Sequence, residues 1–357
     1  MFVSQAWSLY RHETYATCEI IGVRNCELRV VQSSLIGAML SNLLLILGIC
    51  LFSGGMQYLE QGFDISMFQM YSVILQITVI AALIPAAFNY LAGPRFPNVI
   101  IQAELLQISH IVAVILLFLY FTFVFFQLHS HAQMYCEVER KGKRFTTKNN
   151  PTGIIVDEQE EILPMLSVRV ALLFLVLIIA LTVVTLEFLV ISIGDLTARV
   201  DINKQWIGLI LLPLLSGNTM GEIPTAYKKN EDTNDLAERF KSVTVSMKNK
   251  VDLCMEQALG SSIQIAILVI PLVTVIAWMM EKPLMLSSDP FESIVLFFSA
   301  SALSRILAHG KTNWLTGALL IKLYLLIAIV YWFHPGVDTA ELSFECTVVH
   351  AFGKVEK

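Results

Sequence analysis

The chain has 357 residues, of which 56% are hydrophobic and only 15% charged, where a soluble domain carries about 25% charged residues. With a mean hydropathy of +0.68 it reads as an integral membrane protein. Its mild net charge of -5 offers no basic surface to a nucleic acid. The six cysteines, Cys18, Cys26, Cys50, Cys136, Cys254 and Cys346, have neither metal-ligand spacing nor the pattern of a disulfide framework. The opening stretch, MFVSQAWSLYRHETYATC, lacks the apolar core of a signal peptide.

A membrane span needs about 20 mostly apolar residues. In chain order, spans are predicted at Ser34–Gly55, Met67–Leu91, Leu105–Leu128, Leu166–Ile193, Ala258–Met280, Phe291–Ala308 and Trp314–Phe333. A broken span starts at Trp206 with IGLILLPLLSGN and runs into the polar TMGEIPTAYKKNEDTND before amphipathic character returns at SVTVSM. Pro85 and Pro271 fall inside apolar spans and are expected to kink them. The longest polar connection, His129–Pro164, holds Arg140, Lys141, Lys143, Arg144 and Lys148, then the acidic Asp157, Glu158, Glu160 and Glu161. Basic residues in a connecting loop favour the cytoplasmic side. The acidic patch reads first as a charged linker and second as a cytosolic calcium-binding surface.

Two distant spans carry the same polar pattern. One is SSLIGAMLSNLLLILG, Ser33–Gly48, and the other is EQALGSSIQIAILVIP, Glu256–Pro271. Placing Gly37 on Gly260 puts Ser34 on Gln257 and Ser41 on Gln264. Polar groups at membrane depth are costly without a task or a partner. Their recurrence predicts an all-α polytopic protein built from two inverted repeats around a central polar site. The expected divisions are a partial first repeat of about three spans over residues 1–128, a cytosolic linker over 129–164, a second repeat of about five spans over 165–335 with a polar insertion near 218–234, and a tail over 336–357.

Several long strings resemble the vacuolar calcium/proton exchangers of the cation–proton exchanger family, within the sodium/calcium exchanger superfamily. They are RNCELRVVQSSLIGAMLSNLLLILGICLFSGG, EQGFDISMFQMYSVILQITVIAALIPAAF, SVTVSMKNKVDL followed by GSSIQIAILVIPL, and GKTNWLTGALLIKLYLLIAIVYWFHP. The resemblance runs from about Arg24 to Pro335. It implies exchange of calcium for protons, with each repeat donating one acid from a Gly-Asn-Ala-Val-Glu or Gly-Asn-Ala-Ala-Glu-His stretch. Calcium is a hard cation that takes six to eight oxygens at about 2.3–2.6 Å. Two carboxylates with hydroxyl, amide and backbone oxygens can supply these, and the same carboxylates can hold protons instead.

A gapless count back from SVTVSMKNK sets Asn234-Asp235-Leu236-Ala237-Glu238-Arg239 on the second-repeat motif. Glu238 then takes the place of the calcium-binding glutamate, with Asp235 in place of the asparagine and Arg239 in place of the histidine. Counting forward from ILLPLL instead offers Gly217, Asn218 and Glu222, and Glu238 is favoured. By the same resemblance Ser261, Gln264 and Ser41 lie beside the metal, and Glu187, deep in VVTLEFLVISI, takes a proton-pathway or site-supporting role. Simpler readings stand beside these: Ser261, Gln264 and Ser41 as hydrogen-bonded glue between spans, and Glu187 as a buried acid bonded to a neighbouring helix. No first-repeat motif precedes Arg24. Glu19 in Thr17-Cys18-Glu19 sits some four residues too close to RNCEL and is read as a solvated charge at a frayed start, so the chain resembles an exchanger short of its N-terminal part. Thr316 stands where the family resemblance implies a carboxylate. Glu104 is read at a helix start, and Lys322 as a snorkelling or paired base. His110, His129 and His131 are read as solvated or capping residues rather than metal ligands.

The function implied is a calcium/proton antiporter of an intracellular, vacuolar membrane, moving Ca2+ against the proton gradient. It would be a secondary transporter rather than an enzyme, with no cofactor. Its partners would be Ca2+, H+ and the lipid bilayer, with no nucleic acid, and a homo-oligomer is compatible with the sequence. Mn2+ suits the same oxygen donors. The alternative is a transport-inactive exchanger fragment or regulatory membrane protein. An intramembrane enzyme lacks any nucleophile–base or metal constellation. Charged residues cost about 2.5–3.5 kcal/mol each at a span centre, so Lys228, Lys229, Glu231 and Asp232 do not belong in the bilayer. They are read as a looped-out insertion or a translated intron. Reading the transcript across codons 214–240 separates the two, and a transcript without the insert rules out the loop.

Overall fold

The computed structural model describes residues 19–24, 27–92, 98–130, 184–185, 188, 192, 204–215, 251–286 and 289–333. A short helix α1 (19–24) leads into α2 (Leu28–Gln57). Then come strand β1 (Gln61–Gly62), α3 (Ile65–Ala92) and α4 (98–130). After α5 (204–215) follow α6 (251–279), α7 (Pro290–Ala308), strand β2 (Lys311–Thr312) and α8 (Trp314–Trp332). Six of these helices are long and apolar enough to cross a membrane: Leu28–Gln57, Ile65–Phe88, Glu104–Ser130, Cys254–Met279, Pro290–Ala308 and Trp314–Trp332. The span expected at Leu166–Ile193 lies outside the described residues except for Val184, Thr185, Phe188 and Ser192, which are helical.

Several helices begin earlier than hydropathy predicts. Helix α2 opens at Leu28 rather than Ser34, because Gln32 and Ser33 are buried and hydrogen-bonded inside the bundle. Helix α4 opens at Asn98, so Glu104 lies in its second turn, exposed, and not at its start. Pro85 sits within the continuous helix α3. Pro271 lies two residues past a π-helical turn of α6, an irregularity that accommodates a residue with no N–H to donate.

The packing follows a pseudo-two-fold pattern. Helix α2 packs along α8, α6 along α4, and α3 along α7. Exchanging α2 with α6, α3 with α7 and α4 with α8 maps this set of contacts onto itself. Both lead helices contain a π-helical turn, Ser41–Ile46 in α2 and Ile265–Val269 in α6. The Gly37–Gly260 alignment places one on the other.

The repeats run in opposite senses. On one face of the bundle, β1 pairs antiparallel with β2, Gln61 opposite Thr312. There too the Asp64 amide donates to Asp252 Oδ1 at 3.2 Å, and Lys311 bridges Glu60 at 3.1 Å. Helix α2 therefore ends where α6 begins. The edge-to-face contact of Tyr71 with Phe123 places the end of α4, and with it the start of the basic linker, on this same face.

Helix α2 is the centre. Of its apolar window 83% is buried inside the protein, against 17% for α4 and 28% for α8, whose Phe118, Phe121, Leu326 and Ile329 face outward as a lipid surface. Close crossings depend on glycine. A Cβ on Gly37 would overlap the Leu209 carbonyl of α5, and one on Gly317 would overlap Phe52 and Gly48 of α2. Gly37→Leu and Gly317→Leu should each lower the thermal midpoint of the purified protein, in line with an overpacking cost of about 1–3 kcal/mol or more. Gly62→Ala, where the nearest atom is 3.9 Å away, should leave it unchanged.

Candidate functional site

One stripe of α2 carries Ser34, Gly37 and Ser41, spaced by three and four residues so that they share a helix face. Gly37 brings α5 against this stripe. Helix α1 folds back on it as well: the Glu27 amide donates to the Gly22 carbonyl at 3.0 Å, and Gly22 lies where any Cβ would press on Val31. This fold-back delivers Glu19 to Ser34, whose hydroxyl donates to Glu19 Oε1 at 2.7 Å. Glu19 is 5% exposed. The expectation of a solvated charge is overturned, because a glycine at position 22 lets α1 close on α2 and bury the carboxyl against a hydroxyl. Its offset of some four residues from the family register, and its place at the start of the chain, had argued against Glu19 as the first-repeat acid.

The matched helices meet at their polar positions. Asn42 Nδ2 donates to Ser261 Oγ at 3.2 Å, and Ser261 also donates to the Ala258 carbonyl at 3.1 Å. Gln264, one turn further along α6, is half-buried and not without a partner. Ser262 turns away from this contact and bonds its own helix at Ala258, as a packing residue does. Ser41 is completely buried and faces the Tyr324 hydroxyl of α8. Neither hydroxyl makes a well-formed hydrogen bond among the described residues. The structure thus brings Ser41, Asn42, Ser261 and Gln264 to the crossing of α2 and α6, and adds Tyr324, which sequence reasoning passed over as one more aromatic in an apolar span. Glu238, Asp235 and Glu187 lie outside the described residues, as do Glu222, Arg239, His131 and the acidic patch at 157–161. Among the described residues no three His, Cys, Asp or Glu side chains converge on a metal-sized site.

Several remaining candidates resolve into local roles. His110 is neither solvated nor capping. It is 8% exposed and stacks on Trp278 with ring centroids 4.5 Å apart, because its position in α4 faces α6 rather than a helix end. His129 is exposed and stacks on Phe125. Lys322 is exposed in α8. Thr316 donates its hydroxyl to Asn313 Oδ1 at 2.9 Å and joins the N-cap of α8.

A second buried polar group holds α2 at its start. Ser33 and Tyr331 both contact Glu292 Oε1 at 2.6 Å, and the Tyr331 hydroxyl also lies 3.1 Å from Asp289 Oδ2. Sequence reasoning missed this group, because its members come from three separate helices and each alone resembles an end-of-span residue.

The model of the family described as "Sodium/calcium exchanger protein" matches residues 17–129 and 233–333. A vacuolar calcium ion transporter of Cryptococcus neoformans is 34% identical over 393 residues, covering 90% of this chain and 62% of that protein. The chain therefore spans less than two-thirds of that relative's length. A vacuolar calcium ion transporter of Schizosaccharomyces pombe is 30% identical over 88% of the chain and 68% of its own length. A Ca2+/H+ antiporter of Aphanothece halophytica is 30% identical over 89% of the chain and 78% of its own length. The fold is similar to the crystal structure of the Ca2+/H+ antiporter protein YfkE, with a TM-score of 0.65 and 21% identity over 90% of this chain and 83% of that one. It is also similar to that of the H+/Ca2+ exchanger CAX, with a TM-score of 0.56 and 14% identity over 96% and 75%.

The Asn42–Ser261 bond is the direct polar link between the matched helices. A double-mutant cycle with Asn42→Ala and Ser261→Ala, read by thermal unfolding, should give a coupling of about 0.6–1.7 kcal/mol, the range of hydrogen bonds between membrane helices.

Proposed function

We propose that the chain, which belongs to the sodium/calcium exchanger family, is a calcium/proton antiporter of a vacuolar-type membrane. It would move Ca2+ from the cytosol into an acidic compartment. The observation that carries this reading is Glu19, a buried carboxyl against a hydroxyl inside the first turns of the central span. A carboxylate in such a place needs a compensating cation or a proton. Calcium and protons both serve, and only one can occupy the group at a time. That competition couples the two fluxes.

In this reading Glu19 is the first-repeat acid and Glu238 the second. The family match resumes at residue 233, which takes in Asp235 and Glu238 and leaves Glu222 outside. Ser41, Ser261 and Gln264 supply further oxygens at the crossing of α2 and α6, and Tyr324 stands beside Ser41 as another hydroxyl. Glu187 serves the proton path. Carboxyl, hydroxyl and amide oxygens are the donor set a hard divalent cation prefers. The vacuolar location follows the names of the fungal relatives.

The test is proton-driven uptake. Purified chain in vesicles with an acidic interior should accumulate Ca2+, and dissipating the proton gradient should stop it. Glu19→Gln and Glu238→Gln should each lower the initial rate at least about tenfold. No uptake by a folded chain would favour the transport-inactive, regulatory reading. Full activity in Glu19→Gln would remove Glu19 from the site.

A further inference from the structure

The group at the start of α2 joins both repeats, and the proposed transport cycle does not use it. Glu292 is 2% exposed and Asp289 7% exposed, and they sit one turn apart at the opening of α7. Asp289 caps that helix, its Oδ1 accepting from the Phe291 amide at 2.9 Å. Ser33 reaches Glu292 from α2 at 2.6 Å. Tyr331, from the last turn of α8, lies 2.6 Å from Glu292 Oε1 and 3.1 Å from Asp289 Oδ2, and its ring stacks on Phe291. Arg29, one turn before Ser33, brings the only cationic charge among the described groups that interact with Glu292. Its Nε is buried without an acceptor among the described residues. Gln32, beside Ser33, ties α2 to the same region through the Met285 carbonyl at 2.6 Å.

Counting protons makes this group more than packing. Three oxygen–oxygen contacts run in series from Ser33 through Glu292 and Tyr331 to Asp289. The two hydroxyls bring two protons. A hydroxyl has one hydrogen to donate, so Tyr331 can satisfy Glu292 or Asp289 but not both. The third contact forms only when the Asp289–Glu292 pair holds one proton between them, as closely placed carboxylates do. Without that proton, two buried like charges compete for one hydroxyl, and the tie from α8 to one of them fails. The location bears on the supply of this proton. The basic linker marks the opposite face as cytoplasmic, so the group lies toward the compartment side.

We propose that the Ser33–Glu292–Tyr331–Asp289 chain is a protonation-gated clasp, which holds α2 of the first repeat to α7 and α8 of the second while it carries one carboxyl proton and opens when that proton leaves. The clasp stands whether or not the chain carries calcium, so its test needs no transport. Purified full-length chain is titrated from acidic to neutral pH, with carboxyl infrared bands and the thermal midpoint as readouts. The wild type should lose a protonated-carboxyl band as pH rises, and its thermal midpoint should fall over the same interval. Glu292→Gln keeps a neutral group in the chain of contacts. It should lack that band at every pH and lose the accompanying fall in midpoint. Tyr331→Phe removes the bridge and keeps both acids, so its band should shift in frequency. An unchanged band in Glu292→Gln, or a midpoint with the wild-type pH dependence, overturns the clasp. If Glu292→Gln does not fold, Tyr331→Phe decides alone: a shifted band supports the clasp, and an unshifted one overturns it.

Discussion

Inside a bilayer there is no water to satisfy a polar side chain, so each one must find its partner within the protein. Helix α2 concentrates that requirement. Gln32, Ser33, Ser34, Ser41 and Asn42 are all buried on it. Most of the bundle can be read as the set of elements that answer them. The segment after α6 answers Gln32, α7 answers Ser33, α1 answers Ser34, and α6 answers Asn42. Ser41 faces a tyrosine and is left with the weakest satisfaction of the five.

The inverted repeat solves this geometrically. Two helices of like pattern cross near their π-helical turns, and each runs along the last helix of the other repeat. Glycines let the crossings close to backbone contact, at Gly37 against α5 and at Gly317 against α2. Small residues do this in membranes because lipid supplies no hydrophobic force between helices, and close packing takes its place. The outward faces of α4 and α8 have no such demands and remain plainly apolar. The arrangement also separates the two ends of the bundle. The β1–β2 pair and the exposed Glu60–Lys311 bridge tie the linker face. The opposite end is tied by buried carboxyls and hydroxyls, whose hold depends on protons.

Much of this was legible in the residues. Runs of apolar residues place the spans because hydrophobic thickness dictates length. The alignment of Gly37 with Gly260 anticipated that α2 and α6 meet at their polar positions, since equivalent helices in a repeat keep equivalent polar positions. The start of α2 was read late because Gln32 and Ser33 are buried, and hydropathy cannot distinguish a side chain facing water from one satisfied by a distant helix. Glu19 failed for a related reason. Its offset from the family register counted against it, while Gly22, which lets the chain turn back, gives no signal until the neighbour it accommodates is known. His110 was misjudged because the partner it stacks on, Trp278, comes from another repeat.

The sequence by itself determined that this chain lives in a membrane, that its helices repeat, and which family it resembles. The first two depend on composition and local spacing, and the third on long strings of matching residues. Only the tertiary structure decided which polar residues meet. It joined Glu19 to Ser34, Asn42 to Ser261, and Ser33 to Glu292, the first across one turn of chain and the others across most of its length. A hydrogen bond depends on position to within a few tenths of an ångström, and such positions are set by how whole helices pack.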